Sequence, residues 1–185
     1  MLDIAQEAPN TVILAEDEAS LYLQASLTRV WAPVGQTPIT AAHPGREKVN
    51  FYGTLNLHTG SVIVNQTDKM NALATAAHLE QILSAVADVP ILLLWDRAPW
   101  HRGEPIQQVL AAHPRLEILY LPTAAPDLNP QEQVWKATRT AVSHNHAQRD
   151  LSVLASRFER HLLDNTFHSS LLNLHRFNTV CATFN

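Results

Sequence analysis

The chain has 185 residues, 46% of them hydrophobic, and a net charge of −4; this suits one globular domain with a substantial core, and the lack of any lysine-rich run or basic tail argues against nucleic-acid binding on composition alone. A single cysteine, Cys181, rules out an internal disulfide and fits a reducing compartment. The longest apolar run, residues 89–95, is strand-sized, and the first ten residues carry neither the basic nor the apolar stretch of a secretion signal, so the expected setting is cytosolic.

Residues 11–23 (TVILAEDEASLYL) read as a strand interrupted by three consecutive acids, Glu16, Asp17 and Glu18. Residues 30–40, with two prolines and a glycine, read as loop. Residues 48–66 are the clearest hairpin: two apolar runs flank His58-Thr59-Gly60, with Gly60 placed for the turn. Residues 70–87 have Leu73, Ala76, Ala77, Leu79 and Leu83 near helical spacing. Residues 89–96 (VPILLLWD) read as a strand buried on both faces, 104–113 as a short helix opened by Pro105, and 116–122 as another strand. Residues 130–142 and 149–165 are amphipathic helices, and the tail, 166–185, has no clear pattern. A hairpin-rich first half followed by alternating helices and strands predicts an α/β fold: a ribonuclease-H-like mixed sheet whose first three strands are antiparallel and whose later strands are parallel, flanked by helices. Several α/β folds share this order.

Three carboxylates stand out. Asp96 closes the buried run, where ligands gather at the carboxyl ends of parallel strands; its plain alternative is a strand end that begins a turn with Arg97. Strand alternation sends Glu16 and Glu18 to one face and Asp17 to the other; the plain alternative there is a solvated strand end. Glu132 follows the N-cap Asn129 and the first-turn Pro130, which is also the geometry of a capping box. In the predicted sheet the three acids would converge without lysine or arginine partners, as an oxygen cage for two Mg²⁺ or Mn²⁺ ions suited to phosphoryl transfer. Asp96→Asn is then expected to leave the metal-free fold as stable or more so.

At these residues the chain resembles the catalytic domain of the IS630-type insertion-sequence relatives of the Tc1/mariner transposases, which carry a DDE triad. The resemblance rests on AEDEASLYL, VWAPVGQTP, LLLWDRAPWH and LPTAAPDLNPQEQVW, in that order, between about residues 11 and 165. It implies Asp17, Asp96 and Glu132 as catalytic residues and ligands of Mg²⁺ or Mn²⁺. The spacing of 35 residues between Asp96 and Glu132 (132 − 96 − 1) is close to the family's. His101 falls on a histidine of the family's second-aspartate block, and Arg97 replaces its usual asparagine; Arg97 would pair with Asp96 or bind a phosphate. Arg97, His101 and Asn129 are the supporting residues.

The implied activity is cleavage at transposon ends and strand transfer into TA targets; the alternative is an inactive, co-opted or decayed module serving oligomerisation or DNA docking. The implied partners are double-stranded DNA, a homodimeric copy and a separate polypeptide carrying helix-turn-helix domains, with no membrane; the implied location is a bacterial cytoplasm, at the nucleoid when bound to DNA. Arg102, Lys136 and Arg139 are the expected phosphate contacts. The expected organisation is a stub at 1–10, a catalytic domain at 11–165 and a tail at 166–185, without the family's N-terminal recognition modules. His144 and His146 read as a polar surface linker, Trp31 and Trp135 as core or interface residues, and Cys181 as structural. No Gly-x-Gly-x-x-Gly, P-loop or Gly-x-Ser-x-Gly pattern occurs.

Overall fold

Strand β1 (Val12–Tyr22) runs unbroken through all three acids. The sequence predicts an interruption there, but β2 (Lys48–Asn56) pairs with it residue by residue, Glu16 opposite Thr54, Asp17 opposite Gly53 and Glu18 opposite Tyr52. Ladder hydrogen bonds and burial override weak strand propensity. A computed structural model of the chain describes residues 10–39, 45–123 and 125–168. The expected stub (apart from Asn10), the tail beyond residue 168 and Cys181 lie outside the described residues.

β2 turns through Gly60, at φ 73°, into β3 (Val62–Thr67), as the hairpin pattern predicts. Helix α1 (Ala72–Ala85) leads to β4 (Ile91–Trp95), a fully buried strand, then to α2 (Glu104–Ala112) and β5 (Leu116–Tyr120). Helices α3 (Pro130–Thr138) and α4 (Leu151–Asp164) complete the described chain. The sheet order is β3-β2-β1-β4-β5, with β1–β2 and β2–β3 antiparallel and β1–β4 and β4–β5 parallel. This is the mixed, ribonuclease-H-like sheet that the sequence predicts.

Alternation along the strands splits the core in two. Ile13, Ala15, Ala19 and Leu21 of β1 and Leu92 and Leu94 of β4 pack with Val134 and Trp135 of α3 and Leu154 and Phe158 of α4. Leu14 of β1 and Ile91, Leu93 and Trp95 of β4 pack on the other face, against Leu79 and Ile82 of α1 and Ile106 and Val109 of α2. Each of the buried leucine, isoleucine, valine and phenylalanine side chains contributes about 1.5–3 kcal/mol. Arg115 ties the end of α1 to the sheet: its guanidinium donates to the carbonyls of Leu83 (2.7 Å), Ala87 (2.9 Å) and Val89 (3.1 Å).

Some local expectations change. Leu73 is 71% exposed, because the buried stripe of α1 runs through Ala76, Leu79, Ile82 and Leu83 and the first turn lies beyond it. Trp135 is fully buried, but Trp31 is fully exposed and is not a core residue. The helix expected over 130–142 ends as an α-helix at Thr138 and continues as a π-turn, Arg139–Ser143.

Gly53 is where β2 makes room for α3. A Cβ there would sit 2.4 Å from Trp135 Cη2 and 2.6 Å from Gln131 Nε2. Gly53→Ala forces both buried residues to shift; the expected cost is about 1–3 kcal/mol, the usual price of overpacking, read as a fall of several degrees in melting temperature. An unchanged melting temperature would show that α3 is free to move off the sheet.

Candidate active site

The parallel pairing of β1 and β4 places the first two acids. The last paired residues are Ala15 and Leu94. Two residues further along stand Asp17, on β1, and Asp96, just past the end of β4, both toward the α3–α4 face by alternation. Glu132 reaches the same place from the first turn of α3. Asp17, Asp96 and Glu132 together line one cleft of about 210 Å³, with Arg97, Pro126 and Asn129 among its other walls.

Asn129 sets where α3 begins. Its Oδ1 accepts from the Gln131 N–H (3.1 Å), and its Nδ2 donates to the carbonyl of Glu16 (2.8 Å), so the helix start is fastened to β1 beside Asp17. The capping-box bond to Glu132 is replaced: the Asn129 N–H donates to the Pro126 carbonyl at 2.9 Å. The Pro126–Leu128 turn thus takes over the acceptor role, and the Glu132 carboxylate is left to the cleft.

Asp17 is held by Trp135, whose indole N–H donates to Oδ2 at 3.1 Å. Burial first, then the charges of Glu132 and Glu18, push the Asp17 carboxyl up to about 8, with Asp96 adding to the shift. Asp96 behaves in the opposite way. Its Oδ1 accepts from His101 Nδ1 (2.9 Å) and from the Ala98 N–H (2.9 Å), and the His101 bond holds its carboxyl below the usual range despite partial burial. Among the described residues none of the three acids has a lysine or arginine partner, as expected, but Asp96 has a cationic one of another kind. The partner is a histidine rather than Arg97, whose guanidinium lies 4.9 Å over the Tyr120 ring.

Behind β1, on the α1–α2 face, lies a second polar cluster. His101 Nε2 meets Glu18 Oε1 at 2.7 Å and Glu16 Oε2 at 3.7 Å. The Trp100 indole donates to Glu18 at 2.7 Å, and the Trp95 indole donates to Glu16. Burial opposes a charge on His101, but the bonds to Asp96 and Glu18 and the Glu18 and Glu16 charges outweigh it and raise the ring to about 10. Glu16 is buried and is raised well above the carboxylate range, first by that burial and then by Glu18. Glu16, Glu18 and His101 each bring a ligand atom within 4.8 Å of the others, close enough for a metal ion, while both ring nitrogens of His101 already lie against carboxylate oxygens, Nε2 at Glu18 and Nδ1 at Asp96.

A second cleft, of about 470 Å³, continues from the first past Glu132 and is lined by Gln133, Lys136, Arg139 and His144. Lys136 and Arg139 thus share a cleft with Glu132, while Arg102 is exposed at the end of the Pro99–His101 turn. His144, read in sequence as part of a polar surface linker, lines this second cleft; sequence reasoning missed Trp135 as the donor to Asp17. It also missed Glu18 as the partner of His101. The one available signal was parity: Glu16 and Glu18 share a strand face with Trp95.

These environments fix a pH profile for the metal-free protein. Asp17, with its folded pKa near 8 against a normal value of 3.8, keeps a proton that the unfolded chain releases. Stability therefore falls as pH rises from about 4 to 8. His101, raised to about 10, adds a loss between its normal 6.5 and 10. Thermal melts in chelator should show a falling melting temperature across pH 5–8, with a flatter profile for Asp17→Asn; an equal slope in that variant would contradict the assignment. Asp96→Asn should lower the melting temperature at neutral pH, the reverse of the sequence expectation, because it weakens the His101 pair.

A family model for the DDE superfamily endonuclease domain matches residues 12–155. The insertion element IS630 uncharacterized 39 kDa protein of Shigella sonnei is 25% identical over 135 residues, covering 72% of this chain and 39% of that protein. The chain thus spans about two-fifths of the length of this curated relative. The fold is similar to the Mos1 transposase paired-end complex with the left transposon end (TM-score 0.69, 15% identity, 99% of this chain and 58% of that one). It is also similar to the Mos1 transposase catalytic domain with raltegravir and Mg (TM-score 0.64, 11% identity, 99% and 85%). With a family model covering most of its length, ribonuclease-H-like sheet included, the chain belongs to the DDE superfamily endonucleases.

Proposed function

We propose that this chain is the catalytic domain of a transposase, cutting DNA at transposon ends to free a 3′-hydroxyl that then attacks target DNA at TA dinucleotides. One observation carries this reading: three acids from three separate elements, Asp17, Asp96 and Glu132, line one cleft, and among the described residues Asp96 alone of them has an ion-pair partner. The set is all oxygen and strongly self-repelling, which fits hard divalent cations, Mg²⁺ or Mn²⁺, in two positions. The Mos1 catalytic domain named above was solved with Mg. When bound, the ions supply charge neutralisation at the phosphorus and activation of the attacking oxygen.

The chain's own residues do the rest. Trp135 fixes one oxygen of Asp17, and His101 fixes one oxygen of Asp96. Asn129 locks the helix that delivers Glu132. Lys136, Arg139 and His144 line the adjoining cleft and hold backbone phosphates as the scissile bond enters. Arg97, laid over Tyr120 at the cleft wall, offers a further phosphate contact. Arg102 is assigned a peripheral one. The catalytic unit is residues 11–165, working on double-stranded DNA as a homodimer at the nucleoid of a bacterial cytoplasm. No helix among the described residues is long and apolar enough to cross a membrane.

The test is cleavage of a short duplex by the purified chain. Mg²⁺ or Mn²⁺ should support strand cutting and chelator should abolish it. Asp17→Asn, Asp96→Asn and Glu132→Gln should each lose about a hundredfold or more in rate, the scale of removing one preorganised charge-stabilising group. Mn²⁺ should raise the melting temperature of the wild type and not that of Asp17→Asn; an unmoved wild type would favour the inactive docking module instead. Binding to random duplex should fall with salt at a log–log slope of about −2 to −4, shallower by about 2 in Lys136→Ala/Arg139→Ala. Tight binding to one particular sequence would sink this account of the surface.

A further inference from the structure

The cluster behind β1 reaches through the sheet to the cleft. Trp100 donates to Glu18, His101 Nε2 bonds the same Glu18 oxygen, and His101 Nδ1 is paired with Asp96 Oδ1 at 2.9 Å while also lying 3.3 Å from the Asp96 carbonyl. His101 and Glu18 have side chains only 1% and 4% exposed, whereas that of Asp96 is 47% exposed. The ring is stacked on Trp95 at a centroid distance of 4.2 Å and meets Trp100 edge-on at 6.3 Å, so it cannot swing without displacing an indole. Both bonds that hold the Asp96 carboxylate, from His101 and from the Ala98 N–H, fall on Oδ1. Oδ2 has neither.

We propose that Glu18 and His101 are positioning residues that make Asp96 a one-oxygen ligand: Glu18 fixes the ring, the ring ties down Oδ1, and Oδ2 alone is presented to the cleft. The assignment rests on the metal-binding reading above. It extends that reading to the opposite face of the sheet, where neither residue touches substrate. An aspartate free to rotate would chelate with both oxygens or turn away, and either would loosen the geometry that in-line phosphoryl transfer requires. The acids facing His101 are Glu16 and Glu18 from β1 and Asp96 from the end of β4. Among the described residues, His101 makes every ion pair those three acids have. Removing the ring therefore frees the Asp96 carboxylate and leaves Glu18 buried and without its cationic partner.

Mn²⁺ titration of the full chain by calorimetry tests this. The wild type should bind. His101→Asn, which keeps a donor where Nδ1 stood, should retain most of the affinity. His101→Gln, which keeps a donor where Nε2 stood, should weaken binding about tenfold to a hundredfold, the usual cost of losing the group that orients a ligand. In an Asp96→Asn background the two changes should have equal and small effects. If Asn and Gln at position 101 weaken binding equally in the wild-type background, or Gln costs as much without Asp96, the brace is overturned while the metal site stands. If the wild type binds no Mn²⁺, both fall. A crystal of the wild type soaked in Mn²⁺ gives an answer that needs no variant: Asp96 should ligate through Oδ2 with Oδ1 still on His101, and chelation through both oxygens would overturn the proposal.

Discussion

The parallel register of β1 against β4 decides where the acids at the strand ends fall. Pairing Ala15 with Leu94 puts Asp17 beside Asp96 on one face and Glu16 beside Trp95 on the other. A slip of one residue would exchange the faces: it would bury Asp17 among α1 and α2 and turn Glu16 and Glu18 toward the cleft. Such a slip is prevented by the apolar pattern of β4, whose five residues are all buried between two helical layers, and by β2, which pairs β1 across nine residues on its other edge. Hydrophobic matching along the strands therefore sets the positions of the charged groups at their ends.

Five acids crowd the end of this pairing, and the two faces of the sheet resolve the crowding differently. On the α1–α2 face an imidazolium is supplied, two indoles donate to the carboxylates, and the cluster is sealed from water. Charges buried with a partner and with hydrogen bonds are tolerable in a core. On the cleft face Asp17 receives an indole but no cation, and its carboxyl rises to about 8. Under the metal-binding reading proposed above, a divalent cation would displace the proton that Asp17 otherwise retains there. His101 stands between the two regimes, since it belongs to the sealed face by its burial and to the open one by its bond to Asp96.

Much of this was legible in the sequence. Alternation in β1 separated Asp17 from Glu16 and Glu18, the apolar run into Asp96 marked a buried parallel strand, and the Asn129–Pro130 pair fixed a helix start before Glu132. These are local signals, with periods of two residues or cap positions within one turn. What escaped was long-range. That Trp135 serves Asp17, 118 residues away, depends on Gly53 leaving a gap in a third element. The Glu18–His101 contact crosses 83 residues and depends on the Pro99–His101 turn folding back over β4. Leu73 satisfied the helical period and still faces outward, because a period names a stripe but not where along the helix the neighbouring layer ends. Glu132 carried two compatible readings in sequence, and only the turn at Pro126–Leu128, by supplying another acceptor for the Asn129 N–H, separates them.

The π-turn after α3 shows how a small backbone irregularity shapes the basic wall of the second cleft. In a regular α-helix five residues advance about 500°, so Arg139 and His144 would lie about 140° apart and face different surroundings. Here the His144 N–H donates to the Arg139 carbonyl at 2.9 Å, closing the wider turn and stacking one residue over the other. Thr140 and Ser143 reinforce it by donating their hydroxyls to the carbonyls of Lys136 and Arg139. The chain then leaves through a Ser26–His144 bridge and through Asn145, at φ 50°, whose side chain bonds Thr28. Lys136, Arg139 and His144 come to line a single cleft because the helix widens at that point. One residue fewer in the turn would leave Lys136 and Arg139 on α3 and its C-cap but send His144 elsewhere.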